Sequence, residues 1–112
     1  MGPLRARHFV LGAFGAALAV ALPQTIRAAG DKALGEYLSS ECVTCHQVTG
    51  RFDGIPPIVG WPERSFVEIM MQYRTKDRAN PVMQTIAGKL TEEEIASLAT
   101  YFGSLKLPRH AK

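Results

Sequence analysis

A chain of 112 residues is one domain at most, and its 13 Lys and Arg against 10 Asp and Glu give a net charge of +3. Three of the basic residues (Arg5, Arg7, Arg27) and none of the acidic ones fall in residues 1–28, so ten of each remain and the rest of the chain is formally neutral. With the basic excess at one end, and no basic block or aromatic–basic interleaving elsewhere, no nucleic-acid partner is expected.

The first element reads as a targeting segment. Arg5, Arg7 and His8 make a basic start, and FVLGAFGAALAVAL (Phe9 to Leu22) is an unbroken run of 14 apolar and Gly residues before Pro23. That run is shorter than the roughly 20 residues a helix needs to cross a bilayer. Ala28, Ala29 and Gly30 supply the small residues at which a signal peptidase cuts. The expectation is a signal peptide over residues 1–28 and one domain over residues 29–112. The mature protein would then be periplasmic, with no stable membrane insertion after cleavage; an uncleaved anchor is the alternative. The remaining stretch of about 84 residues has a marginal core and needs a staple such as a disulfide, a metal or a large cofactor.

Three helical stretches follow. DKALGEYLSSEC begins with Asp31 as N-cap, and Leu34, Tyr37 and Leu38 share a face that leads on to Cys42 and Cys45. Residues 51–62, RFDGIPPIVGWP, are interrupted by Gly54, Pro56, Pro57 and Gly60 and are expected to be a loop. Pro62 suits the first turn of a second helix with Phe66, Ile69, Met70 and Tyr73 on one face. DRANPVMQTIAGK is expected to be irregular, because Pro81 and Gly88 punctuate it. The third helix opens on a capping box, Thr91 with Glu94, and buries Ile95, Leu98, Ala99, Phe102 and Leu105. No segment alternates over strand length, so the fold class is all-α.

The two cysteines, Cys42 and Cys45, are followed at once by His46. A disulfide between them would close a very short loop and constrain little of the unfolded chain. A structural zinc ion needs four ligands, but His110 is the only other histidine beyond residue 28 and there is no second cysteine pair. A thioredoxin-like dithiol needs a βαβ setting that an all-α chain lacks. Covalent attachment of one haem c needs two thiols at this spacing with a histidine directly after them, and the chain meets that requirement in full.

A second iron ligand must come from far along the chain, and the candidates are Met70, Met71, Met83 and His110. Met70 and Met71 fall within a helix, where methionine is ordinary core filler. His110 follows Pro108 in a basic tail. Met83, in a stretch held by Pro81, is an odd choice for packing and a good one for a soft ligand. His46 and Met83 are therefore the expected metal ligands.

GEYLSSECVTCHQ, IPPIVGWP and NPVMQTIAGKLTEEEIASLATYF, in this order, resemble a class I cytochrome c. The likeness covers nearly all of residues 31–105. It lies nearest the cytochrome subunits of flavocytochrome c sulfide dehydrogenases and single halves of related dihaem cytochromes. It implies three or four helices around one haem, thioether links at Cys42 and Cys45, His46 as proximal ligand and Met83 as distal ligand. It also implies that the Pro56 carbonyl accepts a hydrogen bond from the other nitrogen of His46, and that Gly35 is where the first and last helices cross, opposite Tyr101 or Phe102. Trp61 departs from the family pattern; it would either donate its N–H to a haem propionate or merely cover the loop. Arg51, Arg74 and Arg78 are the cations that could face propionates, and Val43, Ile58, Trp61 and Val82 are the apolar residues expected to be exposed around the haem edge.

An iron with both axial positions filled offers no site for oxygen or substrate, so the expected function is single-electron transfer with no catalytic site of the chain's own. The resemblance points to a flavoprotein partner, one oxidising sulfide. The alternatives are a free periplasmic shuttle to other redox proteins and, should Met83 not bind, a five-coordinate gas-binding haem protein.

Overall fold

The computed structural model describes Gly2 and residues 29–107. The expected signal segment, except Gly2, and His110 lie outside them. Regular structure among the described residues is wholly helical: α1 (Lys32–Leu38), α2 (Ser40–Val43), α3 (Glu63–Arg74), α4 (Pro81–Gly88) and α5 (Glu92–Ser104). The expected first helix is divided in two. Asp31 caps α1 as anticipated, its Oδ1 accepting from Ala33 N at 2.8 Å and Leu34 N at 3.1 Å. At Ser39, however, the buried hydroxyl donates to the Glu36 carbonyl at 2.7 Å, and the chain makes a turn before α2 begins. Serine competes with the helix for backbone partners in just this way. Tyr37, expected on the buried face, is 79% exposed. α1 is only seven residues long and is seated through Gly35, and among the described residues its packing partner is α5.

The larger correction is α4. Residues 81–88 are helical, with Met83 in the first turn rather than in a loop. Pro81 does not break this helix but starts it, because the first helical position needs no N–H. Asn80 is the cap, its side-chain oxygen accepting from Met83 N at 3.0 Å. Gly88 is the last helical residue. Before it, Lys76 (φ 66°) takes the left-handed turn that ends α3. The residues read as breakers therefore stand at the two ends of an eight-residue helix.

The capping box of α5 is present in both directions: Glu94 N donates to Thr91 Oγ1 at 3.2 Å and Thr91 N to Glu94 Oε2 at 2.7 Å. Ile95, Leu98, Ala99 and Phe102 are buried as expected, and Leu105 is half-buried. These residues meet Phe66 and Met70 of α3 and Ala87 of α4, and the Phe66 and Phe102 rings stack with centroids 5.8 Å apart. On the other side α5 packs against α1. Gly35 is buried there, and a Cβ on it would run into the Ser97 carbonyl, 2.6 Å from its carbon and 2.8 Å from Tyr101 Cβ. Ser97, itself fully buried, accepts from Asp31 N at 3.0 Å. The crossing thus leaves no room for a side chain at residue 35.

Gly35→Ala is expected to lower stability by about 2 kcal/mol, the usual scale of forced overpacking, because the obstacle is backbone and cannot rotate away. Gly88→Ala meets nothing within 4 Å and should be neutral or stabilising by up to about 1 kcal/mol. Denaturant unfolding of the two variants beside the parent checks both signs.

Candidate functional site

An apolar cleft of about 360 Å³ lies between α2, the loop that follows it, α3 and α4. Cys42 of α2 and the turn after it, with Cys45 and His46, make one wall; Pro56, Ile58 and Trp61 of the following loop continue it. Phe66, Ile69, Met70 and Tyr73 of α3 form the floor, and Val82, Met83 and Ile86 of α4 close the far side. Every residue expected to hold the cofactor or its ligands, from Cys42, Cys45 and His46 through Pro56 to Met83, reaches this one space.

Local bonding sets the histidine. His46 N donates to the Cys42 carbonyl at 2.8 Å, which continues the α2 turn and carries the ring to the cleft. His46 Nδ1 lies 2.7 Å from the Pro56 carbonyl oxygen. A carbonyl can only accept, so Nδ1 is the protonated nitrogen, and in the neutral ring the free lone pair is on Nε2. Such a bond fixes the ring's orientation and raises its basicity toward a metal. Gly60 (φ 75°) anchors the loop that carries Pro56, its N–H donating to the Phe102 carbonyl of α5 at 2.9 Å.

Cys42 and Cys45 are both free thiols facing the cleft. Burial, with a smaller contribution from the carboxylate of Glu41, pushes the Cys42 thiol up to about 11. A redox dithiol needs the opposite, an attacking sulfur whose pKa is lowered. Among the described residues no cluster of three His, Cys, Asp or Glu side chains is arranged to hold a metal ion by itself. What the wall offers is two thiols, one imidazole and one thioether around an apolar space, which is the donor set a covalently held haem requires.

Several expectations change here. Met70 is buried and also touches the cleft floor, whereas Met71 packs in the core away from it. Ile58, expected to be exposed, is buried, and Val43 is half-buried against the core; only Val82, at 68% exposed, is open, with Trp61 half-covered at the rim. Of the three arginines, Arg51 pairs with Asp53 at 3.0 Å and Arg74 approaches Glu92 at 3.8 Å, both away from the cleft. Arg78 alone of the three lines it. Ile69 and Tyr73 belong to the site although their spacing marked them simply as a buried face, and Asn80 and Ile86 were not singled out. An Asn-Pro pair at a helix start was the readable signal for Asn80.

The Cytochrome c family model matches residues 32–106. The cytochrome subunit of sulfide dehydrogenase from Chlorobaculum tepidum is 31% identical over 77 residues, 68% of this chain and 70% of that protein. A thiosulfate dehydrogenase electron acceptor from Thiomonas intermedia is 30% identical over 71 residues, covering 61% of this chain and 33% of its own. Cytochrome c4 from Pseudomonas aeruginosa is 28% identical over 92 residues, 80% of this chain and 46% of that protein, so the chain spans less than half of these last two relatives. Fold, cleft chemistry and family match agree, and the chain belongs to the cytochrome c family, as an all-helical electron-transfer domain with covalently bound haem c.

Proposed function

We propose that this chain is a periplasmic monohaem cytochrome that accepts single electrons from a flavoprotein, as the cytochrome subunit of a sulfide-oxidising dehydrogenase. The observation that carries the site assignment is the convergence of Cys42, Cys45, His46 and Met83 on one apolar cleft, with His46 oriented by Pro56. Cys42 and Cys45 would hold the porphyrin by thioether links, and His46 through Nε2 and Met83 through its sulfur would ligate the iron. Bound there, the haem supplies a one-electron couple at its iron. The chain's own part is to keep both ligands in place, to exclude water with the α3 floor, and to leave one edge open beside Val82. Arg78, which lines the cleft, would supply a positive charge toward a propionate. The periplasmic address rests on reading residues 1–28 as a signal peptide, from the basic start and the apolar run Phe9 to Leu22.

The sulfide-dehydrogenase assignment draws on the Chlorobaculum tepidum relative, of which the chain covers the largest share. A second reading, a freely diffusing carrier, is favoured by the Thiomonas intermedia relative, which is described as an electron acceptor. Co-purification of the chain from its native cell separates the two: a stoichiometric flavoprotein supports the subunit, and recovery of the cytochrome alone supports the carrier.

Met83→Ala should keep the haem attached but abolish the far-red absorption band of methionine–iron ligation and admit carbon monoxide. Met70→Ala should keep that band and cost about 2–5 kcal/mol of stability, as expected for a truncated core methionine. The reverse pattern of spectra would move the ligand to Met70.

Val82, with Ile55 (39% exposed) at the mouth and Phe52 (67%) nearby on the same loop, makes the exposed apolar rim on which a partner would seat. Because the domain is formally neutral, long-range steering is weak, and exposed charge pairs are screened within about 10 Å at 0.1 M ionic strength. The second-order rate of reduction by the flavoprotein should therefore change little with salt. Val82→Asp should lower it about tenfold, the scale of losing one buried valine contact. A steep fall with salt, or an unaltered rate for Val82→Asp, would transfer recognition to Arg74, Lys76 and Arg78.

A further inference from the structure

Helix α4 brings Met83 to the cleft, so whatever holds α4 decides how firmly the sulfur stays there. Two of its side-chain bonds are local. Asn80 Oδ1 accepts from Met83 N at 3.0 Å, and Thr85 Oγ1 donates to the Pro81 carbonyl at 2.9 Å. Both would travel with the helix if it moved. One bond reaches further back: Gln84 Nε2 donates to the Arg78 carbonyl at 2.9 Å. Only the amide nitrogen can make this bond, since its partner is an acceptor.

Arg78 is in turn fastened to α3. Its N–H donates to the Gln72 carbonyl at 3.1 Å, its Nε donates to the Tyr73 hydroxyl at 3.1 Å, and its guanidinium lies over the Tyr73 ring, 5.5 Å from the centroid. Gln84, Arg78 and Tyr73 thus form the polar connection, among the described residues, between the first turn of α4 and the end of α3.

We propose that Gln84 is a positioning residue for Met83, and that its bond to Arg78 sets how readily the methionine yields its place to an outside ligand. The proposal rests on Met83 being the sixth ligand. For an outside base to enter, the first turn of α4 must swing away from the iron. The cap at Asn80 and the Thr85 bond survive that movement; the Gln84–Arg78 bond does not. Its strength therefore opposes displacement directly, whereas the local bonds do not.

The test is an imidazole titration of the ferric, haem-loaded protein, followed through loss of the far-red methionine–iron band. Gln84→Leu keeps the bulk and removes the donor; it should bind imidazole about fivefold more tightly, the factor expected for one ordinary hydrogen bond. Gln84→Lys, which can still donate to the Arg78 carbonyl, should return close to the parent affinity. Thr85→Val removes a bond internal to α4 and should leave the affinity unchanged. Parent-like affinity in Gln84→Leu, failure of Gln84→Lys to restore it, or an equal shift in Thr85→Val would overturn the proposal. A missing far-red band in the unaltered protein would instead remove Met83 as ligand, and the positioning role with it.

Discussion

The seating of α1 on α5 at Gly35 is the contact on which the rest of the molecule depends. A domain of this size has little apolar surface to spare, and one whole side of α3 is given over to a cleft rather than to packing. The remaining core must therefore be close. With no side chain at Gly35, α1 reaches the Ser97 carbonyl, and the buried Ser97 hydroxyl receives the Asp31 N–H at the entry to α1. Held from that side, α5 presents Ile95, Leu98 and Phe102 to α3, and the Phe102–Phe66 stack sets the position of the cleft floor.

The same helix also governs the proximal wall. The Phe102 carbonyl accepts the Gly60 N–H, so the loop from residue 51 to 62 is tied to α5 at its far end and to His46 at Pro56. His46 is therefore oriented by a backbone carbonyl whose own placement traces back to the α1–α5 crossing. A main-chain carbonyl as partner fixes the ring's orientation and raises its basicity.

The distal wall is built differently. α4 is short and bears on the core mainly through Ala87, with Met83, Ile86 and Val82 turned toward the cleft and its rim. Few buried contacts and exposed backbone bonds are the features of an element that opens at low cost. The two walls are thus held differently: His46 by a main-chain carbonyl, and Met83 by a helix whose polar tie to α3, among the described residues, runs through Gln84 and Arg78.

The local signals were legible because they depend on a few consecutive residues. Cys42, Cys45 and His46 lie within one turn, so their joint chemistry needs no tertiary contact to be read. The Asp31 cap and the Thr91–Glu94 box are likewise complete within four residues. The resemblance supplied the Pro56 carbonyl and the Gly35 crossing, and the geometry places both groups there. The signals of α4 are local too: Pro81 and Gly88, which taken singly suggest interruptions, mark its two ends. Other features belonged to the tertiary structure alone. Spacing puts Tyr37 on the face of Leu34 and Leu38, yet only the direction from which α5 arrives decides that it stays in water. Ile58 and Val82 are equally apolar as letters, and one is buried while the other lies on the rim. Arg51, Arg74 and Arg78 carry the same charge, and only the path of the chain after α3 brings Arg78 to the cleft. Periodicity and capping act over one or two turns of chain; which faces, loops and charges meet is decided by how the helices pack, and that depends on contacts dozens of residues apart.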